Sequence, residues 1–105
     1  MSYILVLMTA SSKNEAEKIT RSLLKEKLIA CANMIDYVTS VFWWQEKIEE
    51  EKEVLVIMKS HQDLFSEILA KVKELHSYNT PEILALPIVE GSRQYLEWMK
   101  KVLNR

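Results

Sequence analysis

Two segments with helical periodicity, each set between runs of strand-forming residues, narrow the folds open to this 105-residue chain more than any other feature. Ala16, Ile19, Leu23, Leu24 and Leu28 recur at steps of three and four, as do Leu64, Phe65, Ile68, Leu69, Val72 and Leu75. Each set makes one apolar helix stripe with charged residues on the other side. Around them lie apolar runs at 3–9, 29–44, 54–58 and 83–89. The first is too short for a core helix and fits a central strand buried on both faces. The second is interrupted by Asp36-Tyr37 and reads as one long strand with a bulge there. Pro87 places the last run at a sheet edge or a break in the ladder. A third amphipathic helix follows, with Tyr95, Leu96, Met99, Val102 and Leu103 on its apolar face.

Strand–helix–strand repeated twice in one sheet is the α+β, ferredoxin-like βαββαβ sandwich, with helices on one face and here a C-terminal helix added. The second and third strands make a long hairpin whose segment 45–53 holds five Glu against two Lys and is expected in solvent. Ser12 with Glu15 three residues on predicts a reciprocal capping box. Ser60 and Asp63 are candidate caps for the second helix, and Ser92 for the third. With one glycine, two prolines and no low-complexity tract, residues 1–105 are expected to form a single domain.

Charge excludes some functions. Fourteen basic residues are matched by fifteen acidic ones, net −1, so no basic surplus favours nucleic acid. No apolar run approaches the roughly 20 residues of a membrane span. Cys31 is the only cysteine and lies in an apolar stretch with no basic neighbour in sequence, where it reads as a small buried hydrophobe. A single cysteine suits a reducing compartment, and the cytoplasm is the expected location. No catalytic constellation, zinc pattern or glycine-rich phosphate loop is present, so no enzyme activity is expected. Ser11-Ser12-Lys13 offers at most a weak anion site.

Leu28-Ile29-Ala30-Cys31-Ala32-Asn33, Trp43-Trp44, Lys47-Ile48-Glu49-Glu50, Lys52-Glu53-Val54, Lys73-Glu74-Leu75-His76, Tyr78, Thr80-Pro81-Glu82-Ile83 and Tyr95-Leu96-Glu97-Trp98 occur in this order across nearly the whole chain. Jointly they resemble the CutA divalent-cation tolerance proteins. The resemblance implies a ferredoxin-like fold in a homotrimer like the PII proteins, with long hairpins reaching onto neighbouring subunits. It also implies a role in tolerance of divalent cations, with Cu2+ or another divalent cation bound but not needed for folding. The chain departs from the family at Asp36-Tyr37, where Pro-Gly is common, at Glu46, where glycine is usual, and at Ser77, usually proline. Positions that hold copper ligands in some bacterial members are Met8, Leu75 and His76 here.

Trp43 and Trp44 are neighbours in a strand, so their rings point to opposite faces and cannot both enter one core. Burying one such ring stabilises by at most about 4–6 kcal/mol. At least one is therefore expected against a neighbouring subunit; the alternative is a ring lying half-exposed over its own helices. His76, where the second helix ends, is a candidate metal ligand through a neutral imidazole nitrogen. The other reading has it serving the helix dipole and a free carbonyl. Met8 is a soft donor by type but reads as core filler, and His61 is expected on the surface. Tyr78, Pro81 and Glu82 form a polar-aromatic loop that either lines a ligand cleft between subunits or merely fixes its own turn. The Glu-rich segment offers cations only loose carboxylates. A PII-like sensor or scaffold, binding a small molecule or a protein in such clefts, is the second functional reading.

Overall fold

The computed structural model describes residues 2–105. Strand β1 (Tyr3–Ala10) is followed by helix α1 (Lys13–Lys25), then by the paired strands β2 (Cys31–Trp44) and β3 (Lys47–His61). A 3-10 turn (Gln62–Leu64) leads into α2 (Phe65–Leu75), β4 (Ile83–Pro87) and α3 (Arg93–Leu103). The sheet order is β2-β3-β1-β4 with every pair antiparallel, the arrangement of a ferredoxin-like sandwich. The strand–helix order read from the sequence is the order observed.

The core lies between the sheet and the pair α1 and α2. Ile4, Val6, Met8 and Ala10 meet Ser60, Met58, Val56 and Val54 across the β1–β3 ladder, and all eight are buried against Ala16, Ile19, Leu23, Ile68 and Val72. Alternation sends Tyr3, Leu5 and Leu7 to the other face, where they are only half-buried. β1 is thus central but not buried on both sides, because α3 alone shields that second face. Met99 and Leu103 anchor α3, the Tyr3 hydroxyl donates to the Arg105 carbonyl at 3.1 Å, and Ile35, Leu84 and Leu86 remain exposed. The helices accordingly occupy both faces rather than one.

The hairpin accounts for the long dimension of the 44 × 25 × 23 Å subunit. Its register slips between Ile35 and Val38, the bulge expected at Asp36-Tyr37, where Tyr37 takes φ 52°. The acidic segment is strand rather than loop. Lys47 through Lys52 pair with Trp44 through Thr39, so only Gln45 and Glu46 turn the chain. Both have positive φ, 49° and 67°, as a two-residue primed turn demands. Glu53, the last of that segment, is buried.

Helix ends depart from the sequence reading in detail. Leu28 lies beyond α1: Lys27 adopts φ 58°, and the amides of Lys27 and Leu28 donate to the carbonyls of Leu24 and Leu23 at 3.0 and 2.9 Å. This is a Schellman ending with lysine in the position glycine usually takes. Ser12 caps α1 through Glu15 N–H at 3.1 Å, but the Glu15 carboxylate turns away from Ser12, so only half of the capping box forms. Ser60 caps nothing; it is buried in β3 and donates to the Leu28 carbonyl at 2.6 Å. His61, half-buried instead of on the surface, caps only the 3-10 turn, its Nδ1 accepting from Asp63 N–H at 3.0 Å, and α2 itself begins at Leu64 without a side-chain cap, so Asp63 does not serve it either. Ser92 does cap α3, accepting from Tyr95 N–H at 3.4 Å.

Candidate functional site

A connected set of polar contacts lies where the hairpin leaves the body. It is assembled from the end of β1, the start of α1, the residues after α2 and the base of β3. α2 stops at His76, which is extended at ψ 143° and sends its amide back to the Val72 carbonyl. The imidazole is fully enclosed. Its Nε2 lies 2.8 Å from the Thr9 carbonyl oxygen, and Nδ1 accepts from Tyr78 N–H at 3.1 Å. Those partners require the proton on Nε2, since a carbonyl only accepts and an amide only donates.

Tyr78 packs its ring 4.7 Å from that of His76 and donates its hydroxyl to Glu53 Oε2 at 2.8 Å. Burial first, then the bond to Glu53 and the carboxylates of Glu53, Glu15 and Glu51, push the Tyr78 hydroxyl far above the usual tyrosine pKa. Glu15 closes the cluster. One oxygen accepts from Ser11 N–H and Oγ at 3.2 and 3.0 Å, and the other from Ser77 N–H at 2.7 Å. Burial opposes its charge, but the hydrogen bonds from Ser77 and Ser11 outweigh that and hold its carboxyl below the usual range. Glu15 Oε2 also lies 3.8 Å from His76 Nδ1.

The structure therefore brings His76 and Tyr78 together, and adds Glu15 and Glu53, which the sequence reading had as a cap and as part of a solvated tip. Pro81 is half-buried, while Glu82 is exposed on the way into β4. The five glutamates of segment 45–53 carry no local mark of which one goes inside; only the β3 register and the return of the 76–82 loop select Glu53.

These residues do not fit a copper centre within one subunit. Both nitrogens of His76 are committed to backbone groups, Met8 is sealed in the core and Leu75 has no donor atom. Among the described residues no three of His, Cys, Asp and Glu gather as a metal ligand set. His76 instead joins the end of α2 to β1 and to the Tyr78 loop. Cys31 also differs from expectation: it is half-buried, with Lys59 opposite it on β3.

Trp43 and Trp44 project from the outer half of the hairpin, 72% and 55% exposed. Trp43 pairs with Ile48, itself 63% exposed, and Val41 and Phe42 are exposed as well. Apolar side chains thus line both faces of a ribbon with no core of its own. No helix among the described residues is long and apolar enough to cross a membrane.

Comparison with known proteins gives a consistent result. The family model for the CutA1 divalent ion tolerance protein matches residues 4–102. The divalent-cation tolerance protein CutA of Thermus thermophilus is 41% identical over 96 residues, covering 91% of this chain and 93% of its own. That of Pyrococcus horikoshii is 42% identical over the same shares. Among solved structures, the periplasmic divalent cation tolerance protein CutA of Archaeoglobus fulgidus superposes with a TM-score of 0.93 at 40% identity, covering 96% of this chain and 98% of that one. CutA1 of Oryza sativa gives 0.93 at 36% identity, over 97% and 94% of the two chains.

Proposed function

The chain belongs to the CutA1 divalent ion tolerance protein family, and from that premise we propose that it acts as a cytoplasmic homotrimer in tolerance of divalent cations, copper among them, with no reaction of its own. The apolar ribbon carries this reading. An isolated subunit would leave Trp43, Trp44, Val41, Phe42 and Ile48 in water, and exposed apolar area of this kind marks an association surface. Among the described residues the sheet has two unpaired edges, β2 and β4. Different edges meeting head to tail make a heterologous contact, which closes into a ring when the rotation permits.

Sedimentation at micromolar concentration tests the assembly. The expected mass is three times the 12.3 kDa chain, and a folded species of one chain mass overturns the proposal. Trp43→Glu places a charge in the association surface and is expected to shift the population toward single chains.

Cation binding follows from the assembly in this reading. A metal reaches His76 only if the ring gives up the Thr9 carbonyl or the Tyr78 amide, so ligation there competes with the fold. Titration with Cu(II), followed by tryptophan fluorescence, is expected to saturate at a stoichiometric site below millimolar concentration. An unchanged titration in His76→Ala removes His76 from the proposal and leaves groups of the assembled trimer. The second reading, a PII-like sensor or scaffold, is favoured by the Tyr78–Glu53 contact, which ties the 76–82 loop to the hairpin base. A fluorescence response to nucleotides without one to copper supports it instead.

A further inference from the structure

Cys31 and Lys59 stand directly opposite each other on β2 and β3, in the row that also holds Leu5 of β1. Lys59 Nζ lies 3.8 Å from Cys31 Sγ and also donates to Oδ1 of Asn33, which keeps the amine over the thiol. The Cys31 thiol itself lies 3.9 Å from Oδ1 of Asn33. In the single subunit the thiol is half-buried and not sealed in the core. Partial exposure beside a cation is the setting in which cysteines oxidise selectively. Oxidised cysteines are commonly resolved by a second thiol, and this chain has none. The nucleophile within reach is the Lys59 amine.

We propose that Cys31 is a site of reversible oxidation and that Lys59 is its resolving residue. A peroxide supplies the oxidant. The sulfur gives up two electrons, the O–O bond breaks, one oxygen joins Sγ as sulfenic acid and the other leaves as water. Lys59 Nζ then gives up one proton to solvent and attacks Sγ. An N–S bond forms, the S–O bond breaks, and the hydroxyl leaves with an amine proton as a second water. The product is a sulfenamide, the condensation that sulfenic acids undergo with a backbone nitrogen, made here with a side-chain amine. It removes the Lys59 charge and covalently joins the start of β2 to β3. A thiol reductant reverses it by returning Sγ to the thiol and Nζ to the amine.

The test is treatment of the assembled protein with near-stoichiometric hydrogen peroxide, read by intact mass and peptide mapping. The wild type is expected to lose about two mass units, the two hydrogens of the new bond, and to yield one peptide joining residues 31 and 59. Dithiothreitol restores the original mass. Cys31→Ser is expected to show no such change. Lys59→Arg keeps the charge without a competent amine, and its Cys31 is expected to gain oxygen in steps of about 16 mass units. Two results overturn the proposal: wild-type Cys31 gaining oxygen as fast as in Lys59→Arg with no joined peptide, or oxidised protein running as disulfide-linked pairs of chains. The joined peptide is read in the wild type itself, so the outcome does not depend on how either variant folds.

Discussion

Tyr78 reaches Glu53 Oε2 with its hydroxyl and His76 Nδ1 with its amide, so one residue ties the loop after α2 to both the hairpin base and the end of β1. Tyr78→Phe keeps the ring but leaves a buried carboxylate without its donor. It is expected to cost about 1–3 kcal/mol in urea unfolding, the penalty of an unsatisfied buried acceptor. The pH dependence follows from the same contact. Burial and the neighbouring carboxylates raise the Tyr78 pKa in the folded state from a reference of 10.0, so the folded protein holds that proton more tightly than the unfolded chain. This stability is fully present below pH 10 and is lost as pH rises above it. Unfolding midpoints across that range should fall in the wild type and fall less in Tyr78→Phe. Glu15 has the opposite sign. Its lowered pKa contributes stability above the reference of 4.5 that disappears as pH falls through the folded value.

Among the elements, α1 and the hairpin each carry strain that glycine would relieve. Lys27 at φ 58° closes α1, and Gln45 and Glu46 turn the hairpin at 49° and 67°. A non-glycine residue in this left-handed region costs about 1–2 kcal/mol, part of which glycine returns as entropy of the unfolded chain. Lys27→Gly and Glu46→Gly are each expected to raise stability by about 0.5–1 kcal/mol, measured by chemical denaturation. Being far apart, they should add. The sequence marked both elements correctly, because the spacing of Ala16, Ile19 and Leu23 and the strand-formers of 38–44 are local signals. It misplaced the end of α1 because Leu28 continues the helical spacing, yet reaches the core only after the chain has turned left-handed at Lys27.

For the whole molecule, the decisive property is apolar surface that the subunit cannot cover. If the ribbon is buried between copies, folding and association are linked and the melting temperature should rise with protein concentration. A tenfold dilution series followed by circular dichroism checks this, and a midpoint independent of concentration would speak against an assembly held by Trp43 and Trp44. Here too the sequence was informative, since adjacent tryptophans in a strand cannot share one core. The position of α3 was not legible. Its apolar stripe required some partner surface, but nothing in residues 93–103 states which face of the sheet it covers.

By itself the sequence determined the order of strands and helices, the bulge at Asp36-Tyr37, the buried stripes of α1 and α2, and the presence of an apolar ribbon. Each follows from periodicity or from steric rules acting over a few residues. Only the tertiary structure decided that Glu53 is buried while its neighbouring glutamates are not, that His76 spends both nitrogens on backbone groups, and that Lys59 lies over Cys31. These depend on strand register and loop return between residues far apart in the chain, where a side chain's partner is set by the path of the backbone and not by the residues beside it.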